Sequence, residues 1–207
     1  MRCMQNPRFR FLAPIRRWPL RALAHSYLLW LGARRDVQLG RHTQLMGLPL
    51  IDLRRGATLT LGDQVLLDSR NRGHHLNLYA PVKLFADRPG AKIIIGDNTR
   101  IHGSCLHAYQ SIEIGSNCLI AANCQIIDAN GHELSLEDPA RRLDTRDQPR
   151  PVVVEDNVWI CANTMVLPGV TIGEGSVIAA HSVVTDDIPP RCLAAGNPAK
   201  VIKQTSL

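Results

Sequence analysis

Among the side chains able to exchange a proton near neutral pH, the imidazole stands first, with an unperturbed pKa of about 6.5. One of the eight histidines occupies a marked position. His132 lies in IIDANGHEL (126–134), where regular aliphatic spacing gives way to a stretch of charged residues and prolines. Beside a hydroxyl, such an imidazole serves as general base, taking the proton as oxygen forms a new bond. Asp128 and Glu133 are the nearest acids. An acid here would hold the second ring nitrogen and stabilise the imidazolium; Asp128 reads equally well as a plain turn residue. His102 and His107 lie five apart, and His107 with Tyr109 forms a second polar group, read either as lining a pocket or as surface residues. The six cysteines include no CxxC pair, so the common zinc spacings are missing.

These residues sit on a repeat. GATLTLGD (56–63) recurs as GAKIIIGD (90–97), and IEIGSN, VVVEDN and VTIGEG continue the theme. Beneath it runs a period of six: Ile95, Ile101, then Ile114, Ile120, Ile126, then Val154, Ile160, Val166, Ile172, Ile178, Val184. That period matches neither a helix nor a free-standing strand. It predicts a triangular parallel β-solenoid with one hexad per face and three hexads per coil. Val154 to Ile172 is 18 residues, one coil, whereas Ile114 to Val154 is 40, one coil plus an insertion. Residues 131–150 lack the pattern and are expected to leave the coil as a loop. Cys105, Cys118 and Cys124 take the fifth hexad position and Cys161 the second, all read as small packing residues.

The charge is unevenly placed. The chain carries 24 Lys+Arg against 18 Asp+Glu, yet residues 1–35 hold eight arginines and no acid. The remainder therefore has 16 basic and 18 acidic residues, a net of −2, which argues against a nucleic-acid-binding body. Aromatics divide the same way, with Phe9, Phe11, Trp18, Tyr27 and Trp30 in the arm and Tyr79, Phe85, Tyr109 and Trp159 in the body. So sparse a set argues against sandwiches and bundles built on large aromatic core blocks. Leu20, Leu23, Ala24, Tyr27, Leu28 and Leu31 form a helical stripe after Pro19. Two readings remain open: the stripe caps an end of the solenoid, or the arm lies on an anionic membrane. The apolar run Tyr27–Leu31 is shorter than a signal-peptide core or a membrane span. A reducing cytoplasm is the expected compartment, with peripheral contact on the inner membrane face if the second reading holds.

The run VWICANTMVLPGVTIGEGSVIAAHSVVTDDIPPRCLAAGNPAKVIK (158–203) resembles the C-terminal signature of the hexapeptide-repeat acyltransferases. Within them it is similar to the branch of galactoside, maltose and serine acetyltransferases and polysaccharide O-acetyltransferases, over roughly residues 90–203. The resemblance implies an all-β, left-handed parallel β-helix and a homotrimer binding acetyl-CoA between subunits. It implies O-acetyl transfer to a saccharide, a polysaccharide or a lipid-linked glycan, without a metal. His132 stands where the family keeps its catalytic base, with Asp128 as candidate orienting acid. On the CoA side, the resemblance places Trp159 beside the pantetheine arm, Ala162 and Ala180 as backbone partners, and Thr185 near the nucleotide. It sets Lys200 and Lys203 on the phosphates and leaves His107 and Tyr109 for the acceptor. Gamma-class carbonic anhydrases share the solenoid and a five-residue histidine spacing. Here the position of their third ligand is Leu66, with His74 and His75 out of step. A zinc enzyme is thus the first alternative and a non-catalytic, membrane-docked scaffold the second. The expected organisation is an arm (1–35), a solenoid (36–190) with its loop 131–150, and a tail (191–207).

Overall fold

The aliphatic hexad positions stack as their period requires. In the computed structural model, which describes residues 13–205 with side chains from Ala22 onward, Ile95, Ile114, Val154 and Ile172 pair in register along one sheet. Ile101, Ile120, Ile160 and Ile178 line a second, and Leu106, Ile126, Val166 and Val184 a third. All twelve are at most 2% exposed and belong to one core. Each contributes about 1.5–3 kcal/mol by leaving water. The sheets hold six, eight and six strands, and the chain visits them in rotation. The first eighteen strands, three to a coil, make six coils.

Corners need residues that tolerate a left-handed backbone and lie close to the next coil. Asn98, Asn117 and Asn157 take φ of 54°, 58° and 62° at one corner, and Asn123, Asn163 and His181 take 63°, 59° and 60° at another. Asparagine is among the residues that adopt this region most readily. Rungs join side by side: Asn98 Nδ2 donates to Asn117 Oδ1 at 2.9 Å. Close approach explains the glycine that opens the GD and GS turns. A Cβ on Gly96 would lie 2.6 Å from the carbonyl carbon of Gly115.

Ile114 pairs with Val154, so the 40-residue gap is one coil carrying a single insertion. That excursion leaves after strand Gln125–Ile127 and returns at Val152–Val154, with a short 3-10 helix at Pro139–Leu143. A second excursion, residues 69–82 between strands Leu66–Asp68 and Lys83–Ala86, is absent from the hexad reading. It accounts for most of the 34-residue step between GATLTLGD and GAKIIIGD, which pair as neighbouring strands. Asn123 ties this excursion down, accepting from Tyr79 N at 3.0 Å and donating to Asn77 O at 2.8 Å.

Helix Ala13–Gly32 crosses the first coil. Ala24 and Leu31 are buried and Tyr27 packs on the core, so this part of the stripe caps the solenoid. Arg34 closes the junction on Asp36 with two contacts at 2.9 and 2.6 Å. Residues 1–12, including Phe9 and Phe11, and the side chains of Trp18 and Leu20 lie outside the described residues. At the other end, the expected tail is a hairpin: Cys192–Gly196 joins the second sheet and pairs antiparallel with Ala199–Gln204.

Cys105 departs from its expected place. Ile101 to Leu106 is five residues, one short of a hexad, so the register slips. Ser104 fills the buried corner, donating to Ala121 O at 2.7 Å, and Cys105 pairs with Gln125 on the half-exposed outer face. Cys118 and Cys124 are buried as small packing residues should be. Burial pushes both thiols up, Cys124 to about 11, which disfavours the reactive thiolate.

Candidate active site

The larger excursion is braced by its own hydrogen bonds. Asn130 donates through N and Nδ2 to Asp147 Oδ2, at 3.0 and 2.7 Å, and Glu133 N donates to Thr145 Oγ1 at 3.2 Å. Arg142 Nε reaches back to Leu134 O at 2.7 Å. Between these struts, His132 Nδ1 lies 2.7 Å from Arg142 O. A carbonyl oxygen only accepts, so Nδ1 carries the proton in this bond. Nε2 of the neutral ring is then left with its lone pair, the form a general base needs. The imidazole is exposed.

Asp128 does not orient His132 within the protomer. Its carboxylate accepts from Tyr109 N at 2.7 Å and Gln110 N at 2.6 Å, and the residue is fully buried. Burial raises its pKa, with the amides of Tyr109, Gln110 and Ser111 working against that rise. Asp128 is the turn residue of the two readings, bracing the coil from which the excursion departs. The group that orients His132 is a backbone carbonyl, a partner that residue types alone cannot reveal.

On the outer face of the third sheet, His107 stacks on Phe85 with centroids 4.6 Å apart and meets Tyr109 edge-on at 5.1 Å. Asp87 Oδ2 lies 3.4 Å from His107 Nε2, and the Arg88 guanidinium covers Tyr109 at 3.8 Å. The structure therefore gathers His107 and Tyr109 into one polar, aromatic patch. Phe85, Asp87 and Arg88 belong to it and were missed, because only the strand register brings them alongside. His102 lies elsewhere, on the second sheet, with Nδ1 3.2 Å from His74 Nε2. His102 and His107 thus do not converge within the protomer. Among the described residues, no group of three or more His, Cys, Asp or Glu is placed to hold a metal ion.

The residues assigned to the CoA side lie on the second sheet and its borders. Trp159 is 47% exposed on the outer face, in register with Val177, then Leu193, then Lys203. Three strand spacings put Lys203 about 14 Å from Trp159 along the sheet. Thr185 and Lys200 meet at Asp186: the hydroxyl donates at 2.9 Å and the ammonium at 3.1 Å. The Lys200 contact first, then Thr185, hold the Asp186 carboxyl below its usual range. Ala162 packs with Ala122 and Leu78 of the smaller excursion, and its carbonyl accepts from His181 N at 3.0 Å. Its carbonyl is thus already engaged by the next coil, while Ala180 is exposed. His132, at the corner between the third and first sheets, and Trp159, on the second, occupy different sides of the protomer.

Stacked three-strand coils, an excursion bearing a preoriented histidine and an exposed tryptophan face define a hexapeptide-repeat solenoid. Two family models match it: residues 151–186 fit "Bacterial transferase hexapeptide (six repeats)" and 92–127 fit "Hexapeptide repeat of succinyl-transferase". Both matched stretches are hexapeptide repeats, and the fold is the left-handed β-helix. It is 45% identical over 116 residues to YJL218W of Saccharomyces cerevisiae, a protein named as an acetyltransferase, covering 56% of this chain and 57% of that one. It is 42% identical over 94 residues to the galactoside O-acetyltransferase of Escherichia coli, covering 45% and 44%. The hexapeptide-repeat acetyltransferase VCA0836 of Vibrio cholerae, solved with acetyl-coenzyme A, superposes with a TM-score of 0.55 at 24% identity over 91% of this chain and 88% of that one. The chain spans about half the length of the curated relatives it matches.

Proposed function

We propose that the protein transfers an acetyl group from acetyl-CoA to a hydroxyl of a saccharide, a polysaccharide or a lipid-linked glycan. The observation that carries this reading is the His132–Arg142 bond, which fixes the protonated nitrogen and leaves Nε2 as base. In the reaction, the acceptor oxygen attacks the thioester carbonyl carbon while His132 Nε2 takes the hydroxyl proton. The C–S bond breaks, and the proton passes from the imidazolium to the departing sulfur, giving free CoA and an acetyl ester. No acyl-enzyme is required, so the buried, raised thiols have no part in it.

On the donor side, Trp159 flanks the pantetheine arm, Ala180 offers backbone groups beside Ala162, and Thr185 lies towards the nucleotide. Lys203 meets phosphate directly. Lys200 does so by exchanging Asp186 for phosphate, both groups being exposed and the exchange cheap. His107 and Tyr109 line the acceptor side. The His132 and Trp159 faces belong to different sides of one protomer, so the site is completed between copies in a homotrimer. The exposure of Leu134, Leu136 and Leu143 on the excursion, 74%, 72% and 85%, supports such burial against a neighbour. The free state of all five described cysteines fits a reducing cytoplasm. A non-catalytic scaffold would leave the braced His132 without a purpose.

The test is release of free thiol from acetyl-CoA by the purified protein over a panel of sugars, nucleotide sugars and lipid-linked glycans. Acceptor-dependent release with a saccharide is expected. Release only with amines, or none across the panel, would contradict the reading.

A further inference from the structure

Along the described side chains of helix Ala13–Gly32, from Ala22 onward, some apolar residues meet the solenoid and others do not. Ala24 and Leu31 are buried beneath it and Tyr27 packs on the core. Leu23, Leu29 and Trp30 point away, 54%, 64% and 51% exposed. At 3.6 residues per turn these three span about 120° of the circumference, with Leu29 opposite the buried line and Leu23 and Trp30 on its flank. Leu48 and Leu50, on the coil that the helix crosses, are exposed as well.

Charge says what this surface meets. Residues 1–35 bring eight arginines and no acid. The Arg34 guanidinium lies 5.1 Å over the exposed Trp30 ring, so cation and aromatic share one edge of the face. We infer that the outer face of this helix docks on an anionic lipid surface, with Leu23, Leu29 and Trp30 in the interface and the arginines on headgroups. Leucine and tryptophan with flanking arginine are the composition that such an interface takes. A second copy of the arm is a poor occupant, since it brings eight more arginines and no carboxylate to pair with them. The surface left for the lipid is compatible with capping, because the packed residues Ala24, Tyr27 and Leu31 take no part in it. The inference does not rest on the proposed reaction.

The experiment is flotation of the full chain with vesicles of phosphatidylcholine alone or mixed with phosphatidylglycerol. The wild type is expected to float with the mixed vesicles, to stay below with the neutral ones, and to be released by raised salt. Leu23→Gln, Leu29→Gln, Trp30→Gln together should cut the bound fraction at least tenfold, with the circular dichroism spectrum and unfolding temperature of the wild type as the folding control. A second variant, Arg8→Gln, Arg10→Gln, Arg16→Gln, Arg17→Gln, removes charge while keeping Ala24, Tyr27 and Leu31, and should also release the protein. Equal flotation with neutral vesicles, insensitivity to salt, or wild-type flotation by either variant would overturn the inference. So would a change in oligomeric state by the triple variant without loss of flotation, which would make the face a contact between copies.

Discussion

Asp128 holds two backbone amides and His132 holds one backbone carbonyl, and the two contacts have opposite consequences. The carboxylate is sealed in the coil, where its loss would leave the N–H groups of Tyr109 and Gln110 without their acceptors. Asp128→Ala should destabilise the protein by about 2–5 kcal/mol, read from chemical denaturation, since each stranded buried donor costs about 1–3 kcal/mol. Because burial raises its folded pKa, Asp128 in its charged form opposes folding. That penalty is relieved as pH falls through the raised value and is fully present well above it. The place of His132 at the break in the repeat was legible, but the partner of its ring nitrogen was not. Nearness in sequence suggested an acid, whereas the excursion folds back to offer the carbonyl of Arg142. Cys105 shows the same limit, for a single missing residue moved it from the corner to the face.

The hexad period made the three sheets readable, since each stacked aliphatic is a separate copy of the same instruction. The excursion 128–151 was readable as a gap in that pattern. The excursion 69–82 was not, because only one clear repeat precedes it and no frame existed in which its residues were out of step. Corner geometry yields a direct test. Gly96→Ala pushes a methyl to 2.6 Å from the backbone of Gly115, so the coils must part. A loss of about 1–3 kcal/mol is expected on unfolding, the usual cost of overpacking. At the capping helix, the Arg34 side-chain contact holds the Asp36 carboxyl below its ordinary range. A lowered folded pKa stabilises at pH above the unfolded value, about 3.9, and the effect is lost as pH falls through the lowered one. Asp36→Asn should therefore be less stable than wild type near neutral pH, and the gap should close in acid. A gap that persists in acid would show that packing, not charge, holds the junction.

Across the whole molecule, the charge divides between a basic arm and a nearly neutral solenoid. The charge average hid this, because eight arginines in 35 residues colour the entire chain. The larger excursion carries three exposed leucines, which the proposed trimer would cover. If the proposed site spans two copies of a trimer, Leu134→Ser, Leu136→Ser, Leu143→Ser together should give monomers of 22.9 kDa in sedimentation and abolish transfer. A variant that stays trimeric would remove the excursion from the interface.

The central claim is that His132 Nε2 is the base for transfer and has no part in holding the donor. It is tested by His132→Ala in a paired measurement, calorimetric titration with acetyl-CoA beside thiol release with an accepted saccharide. Donor affinity is expected within about twofold of wild type and turnover reduced by about 10²–10⁴, the usual contribution of a general base. Turnover retained at the wild-type level would contradict it, and so would loss of acetyl-CoA binding with turnover per bound donor unchanged.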